Sequence, residues 1–258
     1  MPHLILFSVI IQIMLEKITE NLKKNDFFCE NSLFDAHFHY FECEKLGICD
    51  FPAGWAGISC AHAKNEFFAQ KKAAVAGLIH SYGMHPQNAA NENILDSADF
   101  LEELLQHKEI SFIGEAGFDF FTSDFKAAEV LQEKIWNIQL DLALKYNVAL
   151  VVHCRKANHK LFEYSSQLKK LPEVLFHSFM GSPVEALSLC RRGINAYFSF
   201  GKQLLNGNKK AIACVCELPA EKILAETDAP FQTLKSESFT KPSDILKVYE
   251  AIKTIRGI

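Results

Sequence analysis

The sequence predicts an α/β protein folded as one (β/α)8 barrel, with an extra N-terminal segment. Two patterns point to it: eight short, almost continuously apolar runs, and amphipathic stretches between them. Strands of a parallel sheet read this way because helices cover both of its faces. A third observation locates the chemistry. Run after run ends in a histidine or a carboxylate, and a barrel carries its reactive groups at the C-terminal ends of its strands.

The first strand is LFDAHFH (33–39), where period-two alternation puts His37 and His39 on one face. Phe34, Ala36, Phe38 and Tyr40 then share the other face and pack outward. WAGISCAH (55–62) is the second strand, followed by the helical stretch NEFFAQKKAAVA (65–76). AGLIHSYGMH (76–85) is the third and leads to ILDSADFLEELLQH (94–107). SFIGEAGFDF (111–120) precedes the long helix AAEVLQEKIWNIQLDLALKY (127–146). VALVVHC (148–154) and VLFHSF (174–179) are the fifth and sixth strands, and PVEALSLCRR (183–192) is the helix after them. INAYFSF (194–200), KKAIACVCE (209–217) and KILAETD (222–228) complete the alternation. PSDILKVYEAIKTIR (242–256) closes it, with Pro242, Ser243 and Asp244 as a start signal and Gly257 as the stop. An open doubly wound sheet is the alternative, but no G-x-G-x-x-G follows the first strand.

No repeat or Pro/Gly-rich linker divides the chain, so 33–258 reads as a single domain and 1–32 as an extension. Within the extension, LILFSVIIQIML (4–15) is too short to span a bilayer and is broken by Ser8 and Gln12. It lacks the basic flank of a secretion signal. Leu15, Ile18 and Leu22 have helical spacing, which predicts an extra helix packed on the domain.

Composition bounds the function. With 258 residues, 49% apolar and 22% charged, this is a core-forming soluble chain. Its net charge of −4 excludes a broad basic surface that grips duplex through phosphates, though not a nuclease whose metals attract a phosphate locally. The 8 cysteines are scattered without a C-x-x-C pair, so they read as reduced thiols and place the protein in the cytoplasm.

The strand ends, in order, are His37 and His39, His85, Glu115, His153 with Arg155, His177, and Asp228. Any one of them alone has a plain reading. A single His153 or His177 is more often a hydrogen-bonded core histidine than a ligand, Glu115 could cap a helix, and Arg155 could form a surface ion pair. Converging in one mouth, they are too costly to bury unpartnered. Four histidines and two carboxylates exceed one tetrahedral ion and match two ions that share a carboxylate. Glu115 is the candidate bridge, touching ions about 3.5–4 Å apart. The first ion takes His37, His39 and Asp228; the second takes His153 and His177. Imidazole-rich ligation favours Zn, Mn or Fe over Mg on intrinsic affinity, and two divalent ions (Zn, Mn or Mg) are the expected cofactors. Asp228 is the expected general base, while His85 and Arg155 at the rim suit a phosphate.

FDAHFHY, YGMHP, IGEAGFDF, VVHCRKA, FHSFMGS and ILAETDAPF resemble, in order and spacing, the motifs of TatD-type deoxyribonucleases, members of the metal-dependent amidohydrolase superfamily. The resemblance runs from Phe34 to the C-terminus, with E-x-G-x-D and E-T-D-[AS]-P its most specific parts. It implies a distorted TIM barrel and metal-dependent hydrolysis of phosphodiester bonds in DNA, often from the 3′ end and without sequence specificity. It implies the same ligands, His37, His39, Glu115, His153, His177 and Asp228, with His85 and Arg155 beside the substrate phosphate. The chain departs from the pattern at Met180, where the family usually has a small polar residue. It departs again in FQTLKSESFTKP, which replaces R-x-N-x-P and leaves Lys235 or Lys241 as point charges. Rim aromatics Phe120, Phe121 and Phe231 are candidates for base stacking. A small amide, lactone or phosphoester is the alternative substrate, and a non-catalytic metal-binding barrel is the other possibility. No membrane and no protein partner is implied.

Overall fold

Apolar runs too short for helices and rich in Val, Ile and Phe pair as strands, and eight of them pair in parallel and in chain order. They are β1 (Leu33–Phe38), β2 (Trp55–Ala61), β3 (Leu78–Tyr82), β4 (Phe112–Asp119), β5 (Ala149–Arg155), β6 (Val174–Phe176), β7 (Ala196–Phe200) and β8 (Ile223–Ala225). The structure is a computed structural model that describes residues 33–90 and 93–258. The helix expected within 1–32 lies outside the described residues.

β8 and β1 meet just beyond β8, which nearly closes the barrel. The Asp228 amide donates to the His37 carbonyl at 2.9 Å and the His39 amide to the Ala229 carbonyl at 2.8 Å. Asp35, fully buried, ties the same seam by accepting from the Thr227 amide at 2.8 Å and its hydroxyl at 2.6 Å.

Helices form in each stretch between or after the strands where the sequence places one, and also in four short segments, 40–46, 123–127, 158–163 and 165–168, where it places none. They are α1 (Tyr40–Leu46), α2 (Lys64–Lys72), α3 (Ile94–Gln106), α4 (Ser123–Ala127), α5 (Glu129–Tyr146), α6 (Asn158–Glu163), α7 (Ser165–Leu168), α8 (Pro183–Arg191), α9 (Lys209–Glu217) and α10 (Ile245–Arg256). α8 starts on a capping box in which Ser182 and Glu185 satisfy each other's amides, with Pro183 at the first helical position. α1 is a helix that hydrophobic spacing does not reveal. It is short, and its C-cap Gly47 has φ 66°.

Two apolar layers hold the sheet. Ile58, Val151, Leu175 and Leu224 form an inner cluster on the face that carries the strand-end polar groups. Phe38, Trp55, Phe118, Trp136, Phe176 and Phe198 pack in an outer layer under the helices. Burying each of these large side chains contributes roughly 1.5–3 kcal/mol.

One expectation is corrected. Phe34 and Ala36 do not share an outward face with Phe38 and Tyr40; they belong to the inner cluster. The β1–β2 register shifts between Asp35 and Phe38, and this irregularity breaks the alternation midway. His37 and His39 still reach the same point at the mouth.

Candidate metal centre

Each strand end delivers its side chain to one cavity of about 610 Å³, lined among others by His39, His85, Glu115, His153, His177 and Asp228. β4 makes the largest contribution, and each constant letter of its E-x-G-x-D pattern has a role. Residues 115, 117 and 119 share a face. Glu115 points into the centre of the site, and Asp119 braces a histidine. Gly117 lets β5 approach, because a Cβ there would lie 2.0 Å from the His153 carbonyl oxygen.

Donor atoms crowd around the two Glu115 oxygens. Nε2 of His37 and Nε2 of His39 lie 3.2 Å apart. Each is 3.3–3.4 Å from Glu115 Oε1 and from Asp228 Oδ1. A tetrahedral ion with bonds of about 2.0–2.1 Å has ligand–ligand edges of ~3.3 Å, which these five spacings match. Glu115 Oε2 sits 3.1 Å from Nδ1 of His153 and 2.6 Å from Nε2 of His177, and those two nitrogens are 3.1 Å apart. That trio offers a second position with three protein donors, and His85 Nε2 stands beside it, 3.3 Å from His153 Nδ1.

Hydrogen-bond logic separates ligands from donors. Asp119 Oδ2 stands 3.1 Å from Nε2 of His153. An ionised carboxylate only accepts, so Nε2 carries the hydrogen and Nδ1 turns its lone pair to Glu115. A carboxylate behind a ligating imidazole is the usual support for metal binding. His85 is the opposite case. Its Nδ1 accepts from the Gln87 amide at 3.2 Å, so its Nε2 bears the hydrogen and points into the site as a donor. Although His85 lies near Glu115 and His153, this tautomer does not suit a ligand. His37 Nδ1 rests 3.4 Å from the Cys60 thiol, and His177 Nδ1 is buried with no hydrogen-bond partner among the described residues.

The electrostatics tell the same story. Burial works against the charge on Glu115, yet the imidazoles of His177, His37 and His85 hold its carboxyl well below the usual range. Asp228 is likewise buried and held low by His37 and His39. Burial disfavours charge on His37, but the Glu115 carboxylate raises it well above its usual value. His153 is raised to about 9 against burial by Asp119 and Glu115. Burial pushes His85 down to about 3 and His177 to about 4. Two ionised carboxylates thus favour positive charge on the His37 and His153 rings, the electrostatics expected of a cluster that holds cations.

Several residues in or behind the site carry no role in the sequence reading. His62 follows β2 and lies 3.2 Å from Glu115 Oε1; its signal was the histidine that ends WAGISCAH. Asp119 was legible as the last letter of E-x-G-x-D. Glu226, fully buried, accepts from Ser199 Oγ at 2.6 Å, and burial raises its carboxyl to about 8. Gln232 donates to Asp228 Oδ2 at 2.9 Å, which no local pattern announces.

Other expectations at the rim change. Arg155 lines the cavity with its guanidinium carbon 4.0 Å from the centre of the Phe121 ring. Phe121 and Phe231 are half-exposed, but Phe120 is only 7% exposed and packs inward on Phe118. Met180 lines the cavity, whereas neither Lys235 nor Lys241 is among its lining residues. Lys241 lines a separate shallow pocket with Tyr40 and Asp50. All 7 cysteines among the described residues are free thiols. No helix among them is long and apolar enough to cross a membrane.

Imidazole lone pairs gathered around ionised carboxylates at the mouth of a parallel barrel put this molecule in the class of metal-dependent hydrolases. Within that class, the chain belongs to the TatD related DNase family, whose family model matches residues 34–258. An uncharacterised metal-dependent hydrolase of Mycoplasma genitalium is 30% identical over 218 residues, covering 78% of this chain and 81% of the relative. The 3′-5′ ssDNA/RNA exonuclease TatD of Escherichia coli is 29% identical over 206 residues, covering 78% of this chain and 77% of that one. The exonuclease TatD of Pantoea ananatis matches over a shorter span, 31% identical over 153 residues and 56% of its length. The crystal structure of a TatD homologue from Escherichia coli superposes with a TM-score of 0.75 at 22% identity, covering 86% of this chain and 90% of that one, a likeness of fold.

Proposed function

We propose that this protein hydrolyses phosphodiester bonds in DNA, working without sequence specificity from strand ends, in the cytoplasm. The observation that carries this reading is the opposition of donors and acceptors around Glu115. Lone pairs of His37, His39, His153 and His177 surround its two oxygens, while the His85 N–H faces the same space from the rim. Two divalent ions (Zn, Mn or Mg) held by His37, His39, Glu115, His153, His177 and Asp228 would supply Lewis acidity and ready deprotonation of water.

The chain's own groups do the remainder. Glu115 orients both halves of the centre. Asp228 stays ionised at neutral pH, so it can take a proton from the attacking water, and Gln232 fixes its second oxygen. The neutral His85 ring donates its Nε2 hydrogen to a phosphate oxygen or the leaving alkoxide. Arg155, seated over the Phe121 ring and 3.8 Å from Asp119 Oδ2, offers a two-pronged donor for phosphate. The exposed rings of Phe121 and Phe231 give terminal bases something to stack on.

The test is release of nucleotides from a 3′-labelled single-stranded oligonucleotide, with Mg²⁺ or Mn²⁺, with chelator, and with an Asp228→Asn preparation. Metal-dependent release that disappears in the variant supports the reading. No release from protein shown to contain metal refutes it. One observation favours a second reading, an amidohydrolase acting on a small amide, lactone or phosphoester. Arg155 is the one lysine or arginine among the cavity-lining residues, a sparse set for a polyanion. The same preparation would then turn over small esters or amides.

A further inference from the structure

His62 belongs to none of the ligand positions named so far, yet it is held as a ligand is held. It follows β2, its side chain is 15% exposed, and its main-chain amide donates to Glu66 Oε2 at 2.7 Å. Its Nδ1 lies 3.3 Å from the Gly83 carbonyl oxygen. A carbonyl only accepts, so Nδ1 carries the hydrogen and a neutral ring has its lone pair on Nε2. That Nε2 is 3.2 Å from Glu115 Oε1, the oxygen already facing His37 and His39. Two lone pairs at hydrogen-bonding distance repel unless a cation lies between them. Donation of the outer N–H to a main-chain carbonyl is also how proteins commonly orient a metal-bound imidazole.

A ring nitrogen of His39, a ring nitrogen of His62 and a Glu115 oxygen all lie within 4.8 Å of one another. A separate ion there would have to share both His39 and Oε1 with the first position, and its charge would stand against a neighbour only a few ångströms away. A fifth bond to the first ion needs no such sharing.

We infer that His62 is an additional ligand of the first metal position, completing a five-donor set with His37, His39, Glu115 and Asp228. The two positions are then unequal. The first is filled by protein side chains and retains its ion. The second, with only Glu115, His153 and His177, leaves a coordination position for a substrate oxygen and exchanges more readily. The inference rests on the reading that these donors hold divalent ions, and it does not depend on the substrate.

The test is titration of the metal-free full chain with Co²⁺, followed by calorimetry and visible absorption, for the parent protein and for His62→Ala and His62→Gln. The parent should bind two equivalents of unequal affinity. In both variants the tighter equivalent should weaken by about tenfold or more. Its absorption band should intensify, because four-coordinate Co²⁺ absorbs more strongly than five-coordinate. The weaker equivalent should keep its affinity, which also shows that the variants are folded. Unchanged affinity and spectrum overturn the inference. So does a third equivalent in the parent that the variants lose, since His62 would then serve a separate ion. A parent that takes up no Co²⁺ overturns the metal reading beneath it. If the His62 effect is present in a protein that releases no nucleotide, the inference stands and the nuclease reading falls alone.

Discussion

Oδ2 of Asp119 lies 3.1 Å from Nε2 of His153, and this contact decides which nitrogen of the ring faces Glu115. Asp119 is fully buried and also accepts from Gln87 Nε2 and the Phe121 amide, each at 2.8 Å. Burial opposes its charge, but these bonds outweigh that and lower its carboxyl to about 2, so it acts as a fixed acceptor across the neutral range. Asp119→Ala should weaken the second metal position by about 10–100-fold and leave the first unchanged. Competition with a chromophoric chelator reads both affinities. Equal losses at both positions would show that Asp119 supports the fold rather than the ring.

Metal uptake should expel protons. In the metal-free protein His153 is raised to about 9, against burial, by Asp119 and Glu115. Below that pH it is protonated, and the ion must displace the proton, so affinity should climb about tenfold per pH unit for each proton lost. Calorimetry in two buffers of different ionisation enthalpy counts the protons. A heat independent of buffer would refute the expectation.

Gly117 should tolerate no side chain. Its φ is 146° and an added Cβ would sit 2.0 Å from the His153 carbonyl oxygen, so β4 and β5 would have to part. Gly117→Ala should destabilise the barrel by about 3 kcal/mol or more and disrupt the second position with it. Urea unfolding measures the first effect, and metal stoichiometry the second.

Lys202 is a test of the scaffold away from the metals. Its side chain is completely buried, paired with Glu237 and, at 2.7 Å, with Asp244. Lys202→Met should cost about 1–3 kcal/mol, because it removes the buried partner of both carboxylates and leaves them only the exposed Lys247. Burial opposes ionisation of Asp244, yet bonds from Lys202 and the Lys241 amide hold its carboxyl below the usual 3.8. A lowered carboxyl contributes stability above its unfolded value and loses it as pH falls through the folded one. The stability gap between parent and variant should therefore hold from pH about 7 to 5 and narrow below about 4. A gap that widens in acid would contradict this.

The barrel was legible because parallel strands covered on both faces leave apolar runs, and all eight runs form strands. α1 was not, since its 7 residues show too little periodicity to stand out. The outward placement of Phe34 and Ala36 failed because alternation assumes a regular strand, and nothing local marks the irregularity after Asp35. At the site, the residues that end strands could be read in series. The donor roles could not, because whether His85 presents a hydrogen or a lone pair depends on the Gln87 amide behind it. His62 acts through Gly83 and Glu115, 21 and 53 residues along the chain, and Gln232 is also held by Ser178, 54 residues back, which spacing does not encode.

The seam between β8 and β1 has a consequence for the order of events in folding. His37 and His39 come from the first strand and Asp228 from just past the last, and Asp35 is tied to Thr227 across 192 positions of chain. Nearly all of the domain must be synthesised and wrapped before the first metal position exists. Contacts that distant form slowly and late. A nascent or C-terminally shortened chain therefore offers only fragments of the first ligand set, and tight metal retention becomes a signature of a barrel that has joined its two ends.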